Sequence, residues 1–488
     1  MAGSRALYHR RDVLAAGSLA ALAAATPALA AAGRNPFATI GAHADQLARD
    51  QDYSGVLLIA EAGQVGLRRS WGQRQRAEAL PNTLDTRFNI ASIGKMFTTA
   101  AILRLAEAGR LQLDAPLAAA WPDCPAGDLA RRITVAQLLS HTAGIGNALW
   151  ALPPAQWDHV RRQTDLYRMI AKAPPDGPPG GPVSYSNDGF VALGALIEQL
   201  TGEDYATHIT RTLLKPLGMT ATEFGGAGDL LPNQALPYVR DLDRPGRWRM
   251  ALAGNTPPAS AAGGGTSTAP DMLRFGQAWL AGRVVGPAMM QAWRNPAKPF
   301  REGEYARGLQ VRHINGDVIE GHSGGHTGAA AELMIWPQAL RVAVLLHNGE
   351  VEPYWDLAHA VRATFSGTHS AEQDFRHTQR IAALVATRGP EAGLAARAAT
   401  PARQLRASLI EALGNRAWHR GQAEAARHLL HFNVALDPKS PDARWYVAEL
   451  YRRSGDRSAA LAAYHAYLNL VPGDADALAA IDRLTVSA

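Results

Sequence analysis

The sequence predicts a mixed α/β fold of the α+β type, followed by an all-α region. Residues 53–73, YSGVLLIAEAGQVGLRRSWGQ, contain two apolar-rich runs around a turn-like break, which is typical of a strand hairpin. Extended segments return at residues 309–349, after a middle portion, about 110–300, that is mostly helical and rich in loops. Strands at both ends of a helical middle predict an antiparallel sheet formed by early and late chain, because a parallel sheet requires alternating strands and helices.

Local patterns predict the individual elements of this layout. The apolar run over about residues 92–108 predicts a long helix that ends at Gly109. Asn315-Gly316 is a hairpin-type turn between two extended segments. The segment AAAELMIWPQALRVAVLLHNG then predicts two further strands around Pro337-Gln338. We therefore expect one unit over residues 34–366.

Near the C-terminus, two similar segments follow each other at a period of 34 residues. The positions that pair in this alignment are Gly421 with Gly455, Ala426 with Ala460, Leu430 with Tyr464, and Pro438 with Pro472. The period, the small residues and the closing proline resemble the tetratricopeptide repeat. We expect such repeats with an end helix over residues 405–488, after a linker and possible degenerate helical repeat over 367–404. The repeats could bind a protein partner or form a stabilising helical appendage, and both interpretations stay open.

Residues 1–30 have the features of an export leader. Three arginines precede an alanine-rich apolar stretch, and residues 28–30, Ala-Leu-Ala, form a small-x-small cleavage site. The pair Arg10-Arg11 resembles a twin-arginine leader. We expect a periplasmic or secreted bacterial protein. The mature chain should have no stable membrane span, because its apolar runs are shorter than the roughly eighteen residues that a span needs.

Composition excludes several classes of function. The chain has 488 residues and a net charge of +6, with basic residues scattered rather than gathered in a stripe, so we expect no nucleic-acid partner. Cys124 is the only cysteine, which excludes an intrachain disulfide and a thiolate-rich metal site. Only five of the 49 basic residues are lysines. Each lysine therefore matters, because a buried lysine can lose its proton whereas arginine cannot.

The stretch GHSGG at residues 321–325 matches the Gly-x-Ser-x-Gly pattern of the α/β-hydrolase nucleophile elbow. An elbow serine must be followed at once by a helix, and later by an acid and a histidine. The residues after GHSGG predict another strand instead. Asp356 with His359, or Asp374 with His377, could supply the acid and histidine, but these pairs lie at the domain edge or in the linker. The sequence therefore disfavours Ser323 as a nucleophile.

Ser92-Ile93-Gly94-Lys95 is a stronger candidate for a nucleophile and its base. A serine and a lysine at i and i+3 of a helix lie on one face, so the amine can reach the hydroxyl. The apolar flanks IASIGKMF indicate burial, and burial lowers the pKa of a lysine amine enough to make it a base. Ser92 would also lie at a helix N-terminus, whose partial positive charge favours a developing anion.

Tyr185-Ser186-Asn187, after the Pro/Gly-rich tract at 173–182, forms a second candidate element. A tyrosine and an asparagine two residues apart on a rigid loop can present a phenol and an amide to a cleft. The phenol can relay protons, and the amide can hydrogen-bond a substrate.

Together these motifs resemble the serine β-lactamase and penicillin-binding-protein superfamily, specifically its class C-like branch. The stretches LQLDAPLAAAWPD, ITVAQLLSHTAGI, YSNDGFVALGALIEQLTG and LLKPLGMTATEF also look like landmarks of that family, in family order. The resemblance covers about residues 40–350. It implies a five-stranded antiparallel sheet flanked by helices, a helical subdomain, and an active site between them.

The resemblance also implies roles for individual residues. Ser92 would be the acyl-accepting nucleophile, Lys95 its partner base, Tyr185 a second proton shuttle and Asn187 a contact to a substrate amide. The backbone N–H groups of Ser92 and Gly325 would form the oxyanion hole.

The third motif of the family, Lys-Thr-Gly or His-x-Gly, corresponds here to His322-Ser323-Gly324. His322 would contact substrate or tune Tyr185, on a strand whose backbone at Ser323, Gly324 and Gly325 borders the substrate. A histidine is only partly charged near neutral pH, so it offers a substrate carboxylate less than a lysine does. We therefore expect an esterase or a D-amino-acid peptidase, with weak or absent β-lactamase activity.

Other interpretations remain beside this one. A catalytically degenerate penicillin-binding fold could act as a binding platform through its repeats, although such a protein would have no need of Ser92, Lys95 and Tyr185. His141 is interpreted as a structural histidine away from the catalytic motifs. His322 and His326 could suggest a metal pair, but without carboxylates at matching spacing we expect no metal and no cofactor.

Overall fold

A computed structural model describes residues 35–153, 156, 160–225, 231–251 and 260–486. The leader expected at residues 1–30 lies outside this range. The chain divides into two compact units, one formed by residues 34–239 and 250–367 and the other by residues 240–249 together with 368–488. Among the described residues, no helix is both long and apolar enough to cross a bilayer.

The first unit is built on one large antiparallel sheet. Its strands, in spatial order, are β2, β1, β14, β13, β12, β11, β10 and β9. The bounds of all described strands are β1 Gly55–Glu61, β2 Gln64–Trp71, β3 Gln73–Gln75, β4 Leu80–Pro81, β5 Phe88–Asn89, β6 Tyr238–Arg240, β7 Trp248–Met250, β8 Thr266–Ser267, β9 Lys298–Phe300, β10 Gly303–Tyr305, β11 Gln310–Ile314, β12 Asp317–His326, β13 Ala329–Trp336 and β14 Arg341–His347.

Early and late chain close this sheet, as the sequence predicts. Strand β1 pairs with β14 from Gly55 opposite His347 to Glu61 opposite Arg341. The expectation of five strands is wrong, because the sheet has eight. The additional strands include the short hairpin β9–β10. Strand β10 pairs with β11, and Tyr305 lies opposite Gln310. Strands of three residues carry too little alternation to be recognised from sequence alone.

The helices of the first unit cover both faces of the sheet. Their bounds are α1 Pro36–Gln51, α2 Gly94–Glu107, α3 Leu117–Ala120, α4 Asp128–Arg132, α5 Val135–Leu139, α6 Gln163–Ile170, α7 Asn187–Thr201, α8 Tyr205–Ile209, α9 Ala269–Leu280, α10 Pro287–Arg294 and α11 Val351–Ser366, with 3-10 turns at Ala91–Ile93 and Ala148–Ala151 and a π-helical turn at Thr210–Leu214.

Alternation along β13 separates two apolar cores. Leu333 and Ile335 pack into the large core that contains α2 and α7. Met334 and Trp336 pack into a smaller core with α1 and α11 on the opposite face. Successive side chains of a strand point to opposite faces, so one strand, apolar except for Glu332, serves both cores. The Ser92 and Tyr185 motifs lie on the side of the larger core.

The second unit is helical. Its helices are α12 Ser370–Arg388, α13 Pro390–Ala398, α14 Ala407–His419, α15 Ala423–Leu436, α16 Pro441–Ser454, α17 Arg457–Leu468 and α18 Ala475–Val486. Helices α14 and α16 are each followed by a glycine with positive φ, 74° at Gly421 and 79° at Gly455. The paired residues Ala426 and Ala460 are both fully buried. The 34-residue sequence period therefore corresponds to a repeated helix pair.

Segment 367–404, expected to be a linker and possible degenerate helical repeat, contains the two helices α12 and α13. One feature of this unit is not apparent in the sequence. Residues 240–249, from the end of β6 into β7, belong to it, and the Trp418 indole donates to the Leu242 carbonyl at 2.7 Å. Arg452 forms an ion pair with Asp243 at 2.5 Å.

Candidate active site

Ser92 lies in a tight corner between strand β5 and helix α2. The Asn89 side chain accepts a hydrogen bond from the Ala91 N–H at 2.7 Å, and Ala91 has a φ of 44°, which is unusual for a residue with a Cβ. A 3-10 turn at Ala91–Ile93 then leads into α2. The helix expected over 92–108 is therefore regular from Gly94 to Glu107, and Ser92 precedes its first turn. Backbone strain of this kind is often found at functional sites.

Lys95 is fully buried one turn into this element, with 0% of its surface exposed. Its Nζ lies 3.2 Å from Ser92 Oγ, 2.8 Å from Asn187 Oδ1 and 2.5 Å from the Ala262 carbonyl oxygen. Burial holds the pKa of the Lys95 amine well below its usual range.

The contacts of Lys95 determine where its lone pair points. A neutral amine has two N–H donors and one lone pair. The Asn187 and Ala262 oxygens can only accept, so they take both hydrogens. The lone pair is then left for the Ser92 hydroxyl, whose oxygen lies 3.2 Å away. This arrangement lets Lys95 remove the serine proton.

Tyr185 completes the group around Ser92. Its phenol hydrogen-bonds Ser92, and its ring centroid lies 4.7 Å from Lys95 Nζ. Burial raises the pKa of the Tyr185 phenol, while its hydrogen bond with Ser92 and the charge of Arg301 lower it to a smaller extent. Tyr185 therefore stays protonated at neutral pH and can donate a proton.

Asn187, the first residue of α7, contacts the catalytic lysine directly. The segment that carries it is held by Asn147, a residue that the sequence does not single out. Asn147 donates to the Tyr185 carbonyl at 2.8 Å and accepts from the Asn187 N–H at 2.7 Å. No motif or spacing marks Asn147, because its partners lie about forty positions away along the chain.

Strand β12 passes directly beside Ser92. A Cβ added to Gly324 would lie 2.8 Å from the Ser92 backbone nitrogen and 2.4 Å from the Ile90 carbonyl oxygen. Only glycine allows this approach, since any side chain would push the strand away from Ser92. At Gly325 the nearest atom to an added Cβ is the Ala329 carbonyl oxygen, at 3.7 Å. The strand therefore brings the backbone at Gly324 next to the Ser92 amide, with Gly325 following it.

His322 is buried and does not reach Tyr185 by a hydrogen bond. Its Nε2 lies 3.1 Å from the Tyr305 hydroxyl, its Nδ1 lies 2.5 Å from the Ser323 carbonyl oxygen, and its ring centroid is 6.4 Å from that of Tyr185. Burial, with the charge of Lys95 as a smaller contribution, lowers the pKa of His322 to about 3. His322 is therefore uncharged at neutral pH.

Ser323 has no base beside it. Its hydroxyl lies 3.1 Å from Gln310 Oε1, and the same oxygen accepts from the Ser323 N–H at 3.2 Å. Strand β13 follows, rather than a helix. Asp356, one of the acids considered for an elbow, instead contacts His43 at 2.8 Å. These contacts exclude the elbow geometry at Ser323.

His141 lies within the site rather than away from it. Its ring centroid is 4.3 Å from that of Tyr185, and its Nδ1 accepts a hydrogen bond from the Ser186 N–H at 3.1 Å. Burial lowers the pKa of His141 well below its usual range, and nearby Lys95 adds to the effect. The interpretation of His141 as distant from the motifs is wrong, because the backbone N–H groups of Ser184 and Ser186, on either side of Tyr185, both donate hydrogen bonds to His141.

Over the described part of the chain, no group of three or more histidine, cysteine, aspartate or glutamate side chains could hold a metal ion. What converges on Ser92 is a fully buried lysine, a protonated tyrosine, an asparagine and a glycine-lined strand. This is the grouping that the Ser-x-x-Lys and Tyr-x-Asn motifs predict.

The chain belongs to the Beta-lactamase family, whose model matches residues 40–366. It is 27% identical over 301 residues to penicillin-binding protein 4 of Amycolatopsis lactamdurans, covering 57% of this chain and 77% of the relative. It is 32% identical over 220 residues to esterase EstB of Burkholderia gladioli, covering 42% of this chain and 55% of the relative.

Two solved structures show the same architecture. The penicillin-binding protein from Bacillus halodurans superposes with a TM-score of 0.59 at 27% identity, covering 66% of this chain and 98% of that one. A D-stereospecific amidohydrolase from a Streptomyces species superposes with a TM-score of 0.54 at 25% identity, covering 67% of this chain and 99% of that one. The surrounding family thus includes penicillin-binding proteins, esterases and amidases.

Proposed function

We propose that the protein is an exported serine hydrolase that forms an acyl-enzyme on Ser92 and cleaves an ester or amide, as an esterase or a D-amino-acid peptidase. The observation that carries this proposal is the fully buried Lys95, whose Nζ lies 3.2 Å from Ser92 Oγ and also contacts Asn187 Oδ1 and the Ala262 carbonyl oxygen. We also place the chain in the class C-like branch and its helix pairs among tetratricopeptide repeats.

The acylation step follows from these positions. Ser92 Oγ attacks the carbonyl carbon of the substrate, and its proton passes to the Lys95 amine. The carbonyl oxygen becomes an oxyanion, which the N–H groups of Ser92 and Gly325 stabilise; one such donor is typically worth about 3 kcal/mol. The carbon–leaving-group bond then breaks. The leaving alcohol or amine takes a proton from the Tyr185 hydroxyl. The Lys95 ammonium then gives its extra proton to Tyr185.

Deacylation uses the same groups. Lys95 is neutral again and accepts a proton from the attacking water, which adds to the acyl carbon. The new oxyanion collapses, the bond from carbon to Ser92 Oγ breaks, and the proton returns from Lys95 to the serine. When the acid product is released, Ser92, Lys95 and Tyr185 are back in their starting protonation states.

The charge of the site favours neutral substrates. His322, at the position of the lysine in Lys-Thr-Gly, has a pKa of about 3 and so provides no positive charge at neutral pH. Arg301, in the β9–β10 turn, acts on the pKa of both Tyr185 and His322, but its side chain is exposed. An exposed cation contributes little to binding a carboxylate. This supports ester or peptide cleavage and weak or absent β-lactamase activity.

The experiment that tests the proposal is covalent labelling. The full-length protein is treated with a fluorophosphonate and, separately, with a labelled penicillin, and the adduct is located by peptide mass spectrometry. The proposal expects the fluorophosphonate on the peptide that contains Ser92. An adduct on Ser323 would contradict the site assignment, and no adduct with any acylating probe would favour the binding platform. A panel of p-nitrophenyl esters, D-alanyl peptides and a chromogenic cephalosporin then ranks the substrate classes.

A further inference from the structure

A continuous row of four hydrogen bonds joins the two segments that flank Ser92. The Ser186 N–H lies 3.1 Å from His141 Nδ1, and His141 Nε2 lies 3.0 Å from the Tyr305 hydroxyl. The same hydroxyl lies 3.1 Å from His322 Nε2, and His322 Nδ1 lies 2.5 Å from the Ser323 carbonyl oxygen. The row begins in the Tyr-x-Asn motif and ends in strand β12.

The two ends determine the direction of every bond in the row. The Ser186 N–H can only donate, and the Ser323 carbonyl can only accept. A neutral imidazole has one N–H and one lone pair. His141 therefore accepts at Nδ1 and donates from Nε2 to Tyr305, while Tyr305 donates its O–H to His322 Nε2, which leaves the His322 Nδ1–H for Ser323. Each link then has one donor and one acceptor.

The surroundings keep this pattern in one protonation state. His141, Tyr305 and His322 are exposed by only 2%, 0% and 1%. Burial and the charge of Lys95 lower the pKa of both histidines, and burial raises the pKa of Tyr305. If either histidine took up a second proton, both of its ring nitrogens would be donors. One hydrogen bond of the row would then have a donor on each side. The other charged groups that act on His322 are Arg301 and Arg312, which disfavour a further positive charge.

The last hydrogen bond of the row restrains the backbone of strand β12 next to Gly325, whose N–H is one of the proposed oxyanion-hole donors. The Ser323 carbonyl belongs to the same peptide unit as the Gly324 nitrogen, and that unit immediately precedes the Gly325 N–H. Glycine offers no side chain to hold its backbone in place. The His322 Nδ1–H bond therefore supplies a restraint on this peptide plane from a buried, fixed ring.

We propose that His141 and Tyr305 are positioning residues for the hydrolysis: through His322 they fix the Ser323–Gly325 backbone, and they hold the Tyr185 segment at a set distance from it. Neither residue contacts the substrate. The inference rests on the proposed function, because its effect is on acylation of Ser92. It also explains why a histidine can take the place of the lysine in the third motif, since its role is to orient the strand rather than to supply charge.

The test is Tyr305→Phe, which removes only the hydroxyl from the centre of the row. Misplacement of catalytic groups by about 1 Å can cost roughly 100-fold in rate. We expect kcat for a p-nitrophenyl ester to fall about 10- to 100-fold, with KM changed less than about threefold. The rate of fluorophosphonate labelling at Ser92 should fall in parallel. Tyr53→Phe is the matched control, because Tyr53 is equally buried but its hydroxyl has no hydrogen-bond partner among the residues that the structure describes.

The pH profile separates positioning from a general structural effect. The Tyr305 O–H stabilises the neutral form of His322, so its loss raises the pKa of His322. We expect protonation of His322 to give kcat a second acid limb, below the limb set by Lys95, which moves to higher pH in Tyr305→Phe and stays in place in Tyr53→Phe. His141→Asn breaks the row one bond earlier, and asparagine tolerates the positive φ of 56° at that position. Combined with Tyr305→Phe it should add little, because the row is already broken.

Several outcomes would overturn the inference. One is wild-type kcat and an unchanged pH profile in Tyr305→Phe. Another is a loss of activity in Tyr305→Phe that a lower melting temperature fully accounts for, without a shift in the second acid limb of kcat. If Tyr305→Phe does not fold, the same measurements on His141→Asn decide the question. Failure of the wild type to label at Ser92 would instead reject the proposed function, so the two failures are distinguishable.

Discussion

The corner at Ile90–Lys95 and the strand segment His322–Gly325 each contain a serine with glycine nearby, yet their chemistry differs. Ser92 Oγ lies 3.2 Å from a buried amine with a lowered pKa and is hydrogen-bonded to a phenol. Ser323 Oγ lies 3.1 Å from an amide oxygen, which cannot take up its proton at neutral pH. The difference shows that the reactivity of a serine depends on the protonation state of its neighbour rather than on the glycines around it.

Replacing each serine in turn gives the largest expected contrast. Ser92→Ala should abolish ester hydrolysis, by a factor on the order of 10⁴ to 10⁶ in kcat, because no acyl-enzyme can form. Ser323→Ala should stay within about threefold of the wild type, because it removes only a hydroxyl that contacts Gln310. Initial rates with p-nitrophenyl esters measure both. If Ser323→Ala were inactive and Ser92→Ala fully active, Ser323 rather than Ser92 would be the nucleophile.

The second largest effect concerns the base. Lys95→Arg keeps the positive charge but cannot accept a proton at working pH, so kcat should fall about 10²- to 10⁴-fold. The variant should also be less stable, because it buries a permanent charge. Lys439→Arg, at an exposed position between α15 and α16, is the matched control and should match the wild type in both rate and melting temperature. Retained activity in Lys95→Arg would rule out the lysine as the base.

A smaller effect should follow from changing the acceptor beside the lysine. Asn187→Asp places a carboxylate 2.8 Å from Lys95 Nζ, if the geometry is kept, and an opposite charge favours the ammonium form. The pKa of Lys95 should rise by about one unit or more, so the acid limb of kcat/KM should move to higher pH by the same amount. The rate at high pH should recover towards the wild-type value. An unchanged limb would show that another group controls it.

In the wild type, the free energy of unfolding should also depend on the protonation of Lys95. The pKa of Lys95 is lower in the folded chain than in the unfolded chain, so the unfolded state binds more protons between those two pKa values. The free energy of unfolding should therefore increase with pH across this window, up to the pKa of an unfolded lysine at about 10.4. In Lys95→Met this contribution should be absent. Urea unfolding at several pH values measures the slope for each protein.

The smallest expected effect lies at the edge of the site. Arg301→Gln should raise KM about two- to fivefold for an ester that carries a carboxylate and leave a neutral ester unchanged, since an exposed charge pair is worth about 1 kcal/mol or less. Paired kinetics with the two esters measure the difference. A large and equal loss with both substrates would mean that Arg301 supports the catalytic groups rather than the substrate.

Several parts of the fold and site can be predicted from sequence because their cause is local. The i, i+3 spacing of Ser92 and Lys95 brings amine and hydroxyl together on any helical turn. The strand after GHSGG is apparent from the apolar run AAAELMIW. The 34-residue period is likewise apparent, and the structure has a helix pair in each repeat. Asn147, Tyr305 and the role of His141 were not predictable, because each acts through partners 17 to 164 positions away in the chain.

The sequence by itself determined that a serine and a lysine meet on one turn, that early and late strands close one sheet, and that helix pairs follow. Only the tertiary structure decided that Lys95 is fully buried with a lowered pKa, beside two acceptors, Asn187 and the Ala262 carbonyl, from segments 92 and 167 residues further along. The tertiary structure likewise decided that His322 turns towards Tyr305. Burial lowers the pKa of both side chains, and burial by distant segments is not encoded in local spacing.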